Sequence, residues 1–412
     1  MKLLEEGLLS NKVKKTTLNK QLRIDNHTDI YDVYDIPLDC LYYNDKNDRI
    51  ATWISDYKSE NNCDSIDMSD IDAYNDIIEK FIEKSNPDAL AKTKNNIELI
   101  GQQEYGVVLN DGRIIDGNRR YTCLRKIERE NNQTQYFKAV ILPHDIEHNA
   151  KQIKMLELAL QMGVDRPVDY DPIDRLVGIY NAIVETELLT AKEYAITVSK
   201  SEKEINNEVE KAKLMVEYLE FIGAPKQYHL VRKLKLNDPL LELYKILKKF
   251  SDTDGRKEDI KNIVFANFCM QPEGDMTRYM RKIKKITENP KYLDDFIDEQ
   301  MNTTEKVVDQ IDETPKMNEG TISALRSTGM GNEFSLSTEK WLAKTESDAS
   351  RNQPAQLVEK AYNILDSIDV NIFKKLNEDQ LEIVRRKLEN VQESINICLL
   401  YTSDAADDLT RV

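Results

Sequence analysis

The chain has 412 residues, of which 40% are hydrophobic and 32% charged, and its formal net charge is −16 at pH 7. This length predicts roughly two or three domains, and this composition excludes a largely disordered chain. The negative charge excludes a uniformly basic surface, so any contact with DNA has to be local. No apolar run is long enough for a membrane span, and the start of the chain carries Glu5 and Glu6 where a signal peptide is apolar. We therefore expect a cytoplasmic protein without a membrane partner.

Several common kinds of site find no support in the sequence. The five cysteines show no CxxC spacing, so neither a disulfide framework nor a zinc knuckle is indicated. His144 and His148 would share a helix face, but no second cluster of ligands accompanies them, and we expect no metal there. The sequence contains no P-loop, no G-x-G-x-x-G and no G-x-S-x-G motif.

The first third of the chain alternates between β-prone and helical patterns. Residues 1–30 are polar and lysine-rich and predict an N-terminal extension or a frayed first element. A β-prone run covers residues 33–43, and a helical pattern begins at Asn47. Apolar residues then recur at helical spacing from Ile71 to Ile82, before Asn86 and Pro87 end the helix.

A hairpin is the clearest local signal. Two β-branched runs in residues 107–115 flank an Asn-Asp-Gly turn, whose residues tolerate positive φ. A helix over 118–129 and a strand over 136–142 follow. We therefore predict an α+β domain over residues 31–146, with a small mixed sheet and helices.

The rest of the chain has mainly helical patterns. Residues 147–298 predict a helical domain. Within it, Thr190 caps one helix, and Ser201 with Glu204 forms a capping box for the next. These two helices predict a helix-turn-helix-like unit over 190–221. Residues 299–353 are rich in Thr, Ser, Glu and Asn and predict a polar linker. The apolar pattern resumes over residues 354–397.

The C-terminal segment predicts a helical tail with two alternative contacts. Its apolar stripe suits a homodimer through the C-terminal helices, although packing on its own chain would also bury it. Residues 398–412 match the translation of a sequencing adapter, so we expect them to be foreign to the natural protein.

The run Asp116-Gly117-Asn118-Arg119-Arg120 lies where a strand ends and a helix begins. The first N–H groups of a helix are unpaired and favour anions, and guanidinium groups can form bidentate hydrogen bonds with phosphate. Asp116 would hold Mg²⁺ against the same phosphates and act as the catalytic residue of any hydrolysis. In the alternative interpretation Asp116 only caps the helix, and an arginine pairs with a carboxylate such as Asp111.

These residues carry a resemblance to a known family. The resemblance lies in the order of four segments: the strand and helix IPLDCLYYNDKNDRI, the helix end IELIGQQEYGVVL, the hairpin, and the run IDGNRRYTCLRKI. Over about residues 33–145 the chain thereby resembles the N-terminal domain of the ParB family, within the ParB/sulfiredoxin superfamily. The run at Gly117, Arg119, Arg120 and Cys123 is similar to the second conserved box of that family, and Gly101 to Val107 to the first.

The resemblance implies a nucleoside triphosphate, CTP or ATP with Mg²⁺, as cofactor. Gly117, Asn118, Arg119 and Arg120 would bind its phosphates, with Asn47 and Arg49 near the same cleft. Two differences narrow the implied chemistry. ParB proteins usually have Glu at the position of Asn118, which argues against CTP hydrolysis by the family's mechanism. Sulfiredoxins have their reactive Cys there, which argues against peroxiredoxin repair.

DNA is the second partner that the resemblance implies, because ParB proteins carry a helix-turn-helix after the N-terminal domain. The second helix of the 190–221 unit is rich in glutamate, however, and carboxylates are repelled by phosphate. Basic runs elsewhere are better candidates, although each could equally be a solvated helix face. The candidate DNA-binding residues are Lys226, Arg232, Lys233, Lys235, Lys282, Lys284 and Lys285, with Lys248, Lys249, Arg278 and Arg281 nearby.

Three functions remain open. The sequence favours a ParB-like, nucleotide-responsive DNA-binding or DNA-associated protein. The first alternative is a ParB-like, Mg²⁺-dependent nuclease or NTPase of a mobile element or defence system, and the second is an interaction protein without enzymatic activity.

Overall fold

The computed structural model describes residues 1–24, 27–142, 146–162 and 171–409. The chain forms two units, Met1–Ala343 and Lys344–Val412. Within the described residues, no helix combines the length and the apolar character that crossing a bilayer requires. His144 and the neighbouring residues 143–145 lie outside the described residues, as does the side chain of His148.

A five-stranded mixed sheet organises the first part of unit 1. Its order is β1-β2-β5-β3-β4, in which β3 and β5 are parallel and all other neighbours antiparallel. The strands are β1 (Lys14–Ile24), β2 (His27–Pro37), β3 (Gly106–Leu109), β4 (Ile114–Asp116) and β5 (Tyr136–Leu142). The mixed sheet followed by helices confirms the predicted α+β class.

The prediction of an extension over residues 1–30 is wrong. β1 pairs with β2 from Lys14↔Asp35 to Ile24↔His27, with a bulge between Lys15 and Asn19. The pattern KKTTLNKQLRI hides this strand because Leu22 is its one fully buried residue. Cross-strand hydrogen bonds to β2 hold β1 in the sheet, and Leu18, Leu22 and Ile24 at alternate positions pack against the core beside α5 (Ile146–Met162).

Helices cover both faces of the sheet. The helices are α1 (Ala51–Asn61), α2 (Ile71–Ser85), α3 (Pro87–Ile100), α4 (Asn118–Asn131) and α5 (Ile146–Met162). Val108, Ile114 and Ile141 face a core shared with α1 to α4, whereas Val107 and Val140 face Ile153 and Leu156 of α5. This alternation is the period-two pattern of a sheet buried on both sides. The predicted hairpin is confirmed as β3 and β4, with Gly112 at φ +95° in its turn.

The helical part of unit 1 has its own large core, which includes Tyr218, Phe265, Phe268 and Phe296. Both predicted helix starts are confirmed, because Thr190 with Glu193 and Ser201 with Glu204 form capping boxes. Its helices are α6 (Pro172–Ile179), α7 (Ala191–Thr197), α8 (Glu202–Phe221), α9 (Tyr228–Lys233), α10 (Asn237–Leu247), α11 (Arg256–Met270), α12 (Met276–Thr287), α13 (Leu293–Asp312) and α14 (Glu319–Arg326), followed by the start of α15 (Met330–Asp366).

The prediction of a polar linker over 299–353 is also wrong. α13, α14 and α15 occupy most of this range, and their apolar residues belong to the helical core. Val307, Ile311, Ile322, Phe334 and Trp341 are all buried. Few, widely spaced apolar residues at helical spacing suffice to attach these helices, and the many polar residues between them lie on the outer faces.

Unit 2 consists of the C-terminal part of α15 and α16 (Glu378–Leu409). α15 begins at Met330 rather than at Pro354 and continues through that proline. The apolar side chains of this unit remain largely exposed, with Ile364 at 69% and Leu388 at 41%.

A buried carboxylate joins α1 to α6. The Asp174 side chain is 1% exposed, and its Oδ1 accepts a hydrogen bond from the Thr52 backbone N–H at 2.8 Å. Burial raises the pKa of Asp174 to about 7, above its ordinary value of 3.8. Between these two pH values the unfolded chain has lost a proton that the folded chain retains, so this residue makes stability fall as pH rises from about 4 to 7.

We therefore expect Asp174→Asn to gain stability relative to the wild type as pH rises from 4 to 8. Each pKa unit corresponds to about 1.36 kcal/mol, so the gain should be on the order of 2 kcal/mol after allowance for local relaxation. Urea unfolding across this pH range measures it, with the exposed Asp72→Asn as the control. Parallel stability curves for Asp174→Asn and the wild type would contradict the expectation.

Candidate functional site: an arginine-lined cleft

The loop between β4 and α4 depends on a glycine. Gly117 has φ +104° and is the N-cap residue of α4, so no side chain caps this helix. A Cβ at Gly117 would lie 2.7 Å from Cζ of the buried Phe137, and one at Gly106 would lie 2.3 Å from the same atom. Only glycine fits at both positions, and the first N–H groups of α4 remain available to an anion.

A cleft of about 450 Å³ lies in front of this helix start. All seven residues predicted for the nucleotide site line it, namely Asn47, Arg49, Asp116, Gly117, Asn118, Arg119 and Arg120. The structure thus brings together residues that are about 70 positions apart in the sequence. Whether they bind a nucleotide stays a prediction.

Arg119 provides the cleft with a cation that no carboxylate neutralises. In the described parts of the chain, its guanidinium has neither a hydrogen bond nor an ion pair. Burial lowers the pKa of Arg119, and the neighbouring charges of Arg49 and Arg120 lower it further. An anion in the cleft would relieve this repulsion.

Arg120 is instead engaged by Asp116. Its Nη2 lies 2.8 Å from Asp116 Oδ2, and Lys20 Nζ approaches the same oxygen at 3.8 Å. Asp116 does not cap α4, so that part of the alternative interpretation is wrong. Asp111, its suggested partner for an arginine, accepts hydrogen bonds from the Tyr42 hydroxyl and a backbone N–H.

The carboxylate of Asp116 is a poor fit for Mg²⁺. Mg²⁺ needs oxygen ligands in near-octahedral geometry, usually including one or two carboxylates, whereas Asp116 is shared between two cations. No group of three His, Cys, Asp or Glu residues suited to a metal occurs among the residues that the structure describes. We therefore derive no chemical step from a metal here.

Side-chain amides hold the second wall of the cleft. Asn47 Oδ1 accepts a hydrogen bond from the Arg49 N–H at 3.1 Å, and Arg49 Nη2 lies 3.4 Å from the Gln161 carbonyl. Gln161 Nε2 lies 3.4 Å from Asn47 Oδ1 and 3.1 Å from Glu157 Oε1. α5 therefore fixes the position of Arg49.

Two buried acceptors in the cleft have no partner among the described residues. They are Oδ1 of Asn118 and Oε1 of Gln161. Buried polar atoms in native proteins are nearly always hydrogen-bonded, so each unpaired one needs an explanation. Both oxygens are closed off from solvent as placed, so a ligand with hydrogen-bond donors would reach them only after the two side chains turn towards the cleft.

Sequence reasoning missed several residues of this site. Lys20 and Gln161 lie in elements far from the motif, and no local pattern marks them. Lys92, Thr93 and Asn96 line the cleft from α3, where a polar helix face ordinarily indicates exposure to solvent. No sequence signal separates them from other solvated positions.

The predicted DNA-binding residues lie largely in ion pairs. Lys226 pairs with Glu185, Lys233 with Asp56 and Glu319, Lys282 with Glu273 and Glu339, and Lys284 with Glu242. Arg232 lies 3.8 Å from the centre of the Trp53 ring and donates to Thr52 Oγ1, whereas Lys235 is exposed. Only part of this set can therefore meet phosphate without breaking a contact.

The helix-turn-helix-like unit presents an acidic surface. The exposed residues in the first three turns of α8 are Glu202, Lys203, Glu204, Asn206 and Glu210. On α12, by contrast, Arg278 and Arg281 are exposed three residues apart, and no ion pair of either occurs among the described residues. Local electrostatics thus favour α12 over α8 for contact with a nucleic acid.

No family model matches the chain, and no curated protein matches it. Solved structures do match. One is a Pnob8-like ParB-N domain, at 12% identity and a TM-score of 0.29, covering 79% of this chain and 100% of that one. Another is the C-terminally truncated chromosome-partitioning protein ParB of Caulobacter crescentus complexed with CTP-γ-S, at 12% identity and a TM-score of 0.18, covering 55% of this chain and 98% of that one. Both TM-scores are low.

Proposed function

We propose that the cleft binds the phosphates of a nucleoside triphosphate and that the chain is a nucleotide-responsive, DNA-associated protein of the ParB type. The observation that carries the proposal is the meeting of Arg49, Arg119 and Arg120 at the uncapped start of α4, where Arg119 has no carboxylate partner among the residues that the structure describes. A largely buried Arg119 beside two other cations is unfavourable without an anion and favourable with a polyphosphate.

A nucleotide suits the cleft better than a bare polyphosphate. Once their side chains turn towards the cleft, the unpaired oxygens of Asn118 and Gln161 would accept hydrogen bonds, and phosphate oxygens at neutral pH offer few donors. A sugar hydroxyl or a base amine supplies them. CTP and ATP are the candidates that the resemblance to ParB proteins implies.

The nuclease or NTPase alternative rests on Asp116 as a Mg²⁺ ligand. Because that carboxylate is paired with Arg120, we place this alternative second. A nucleotide that binds but is not hydrolysed, with or without DNA, would agree with this order.

We expect Arg119→Ala to weaken nucleotide binding. Loss of a hydrogen bond to a charged group costs about 1.5–3 kcal/mol, which corresponds to roughly a tenfold to hundredfold loss of affinity. Titration calorimetry with CTP, ATP and GTP, with and without Mg²⁺, measures this change. The control is Arg385→Ala, at an exposed position of α16. If the wild type binds none of the three nucleotides, the proposed function is wrong and an interaction protein becomes the leading interpretation.

For the DNA partner, we propose that the exposed cations of α12 make the contact. Binding to a short DNA duplex should then weaken steeply with salt, and Arg278→Ala with Arg281→Ala should lower the slope of log affinity against log salt by about two. Lys203→Ala on α8 is the matched control and should leave the slope unchanged. If Lys203→Ala lowers the slope and the two α12 substitutions do not, the DNA contact lies on the helix-turn-helix-like unit instead.

For the homodimer, we propose that unit 2 pairs with a second copy of itself. Its exposed apolar side chains would gain about 25 cal/mol per Å² of buried area on pairing. Ile364→Glu with Leu388→Glu should therefore shift the mass measured by light scattering from dimer to monomer, whereas Lys360→Glu, at an exposed polar position, should not. A monomeric wild type refutes this proposal.

A further inference from the structure

The carboxylate of Asp116 lies between two cations from different elements. Arg120 Nη2 on α4 is 2.8 Å from Asp116 Oδ2, and Lys20 Nζ on β1 is 3.8 Å from it. The three side chains are only 18–24% exposed, so water screens their charges incompletely. We infer that Lys20 is a positioning residue of the cleft, which neutralises Asp116 when Arg120 turns towards a bound phosphate. This inference rests on the proposed function.

Arg120 contacts Asp116 through Nη2, and a phosphate that draws the guanidinium towards itself would weaken this bond. The bond between Arg120 and Asp116 is charge-assisted, and a phosphate in the cleft would compete for the same guanidinium. If Arg120 left, Asp116 would be a half-buried carboxylate without a partner, which is unfavourable unless another cation replaces it. The cleft therefore needs a second cation beside Asp116.

Lys20 is placed to be that cation. Its ammonium donates a hydrogen bond to the Tyr105 carbonyl, just before β3, which holds Nζ near Asp116. An ammonium group has three donors, so one bond to Tyr105 leaves others for the carboxylate. β1 and β4 are opposite edges of the sheet order, and the Lys20 side chain is what links β1 to the cleft.

No sequence motif contains this arrangement. Lys20 lies within residues that the sequence predicts to be an extension, and it comes to the cleft only because β1 pairs with β2. The same pairing places the N-terminal hairpin beside Asp116, although none of the hairpin residues that the structure describes lines the cleft.

A double-mutant cycle tests the inference. The variants are Lys20→Met, Asp116→Asn and the double variant, and the probes are tripolyphosphate and CTP in titration calorimetry. We expect Lys20→Met to lower affinity for both probes roughly fivefold, because Asp116 then retains Arg120. In the Asp116→Asn background, where this carboxylate no longer competes for Arg120, the same change should cost at most about twofold.

Two further variants separate positioning from folding. Lys20→Arg keeps the charge and should restore affinity, and Lys14→Met, at an exposed position on the same strand, should leave affinity unchanged. A purely structural role of Lys20 in β1 would give the same loss in both backgrounds and no rescue by arginine.

The outcomes distinguish the two proposals. If the wild type binds a probe, Arg119→Ala weakens it and Lys20→Met does not, the proposed function stands and this inference is overturned. Equal losses for Lys20→Met with and without Asp116 also overturn it. If the wild type binds ATP or GTP but neither probe, the same cycle is measured with that nucleotide. If it binds neither probe and none of the three nucleotides, the proposed function fails and the inference fails with it.

Discussion

Repulsion between like charges is the constraint around which the cleft is built. Arg49, Arg119 and Arg120 share a half-buried space in which their charges are poorly screened, and the lowered pKa of Arg119 records both that burial and that repulsion. The fold tolerates the arrangement because Asp116 offsets one charge and main-chain and side-chain amide groups hold Arg49. Proteins depart from locally favourable choices mainly at functional sites, where a ligand restores the balance.

A second buried network ties this cleft to the helical part of unit 1. Lys154 lies between Asp48 at 2.7 Å and Glu157 at 3.5 Å, and Glu157 bonds to Gln161 at the cleft wall. Removing one partner of such a buried group typically costs about 3–5 kcal/mol. α6 packs closely against it, because a Cβ at Gly178 would lie 2.4 Å from the Asp48 carboxylate. A shift of α5 would therefore move Gln161 at the cleft wall through this network.

The sequence predicts those local structures that depend on interactions between residues close together in the chain. The β3–β4 hairpin, the start of α4 and the helix starts at Thr190 and Ser201 depend on residues a few positions apart, and all are found as predicted. The motif residues also meet Asn47 and Arg49 in one cleft, although their binding role remains to be tested.

The remainder depends on distant partners. β1 shows little hydrophobic signal because hydrogen bonds to β2 hold it, and α13 to α15 resemble a linker because their few apolar residues are widely spaced. Lys20, Gln161 and Lys92 become site residues only through tertiary packing. No local pattern carries that information.

The composition of β1 has a consequence for association between molecules. As the outer strand of the sheet, β1 has one row of backbone donors and acceptors without a neighbouring strand, and such an edge can recruit the same strand of another copy. Lys14, Lys15, Lys20 and Arg23 place four positive charges along these eleven residues, and the bulge after Lys15 interrupts a straight pairing register. Two such strands would repel each other before their backbones met. The cations that make this strand inconspicuous in the sequence thus also protect an open sheet edge from aggregation.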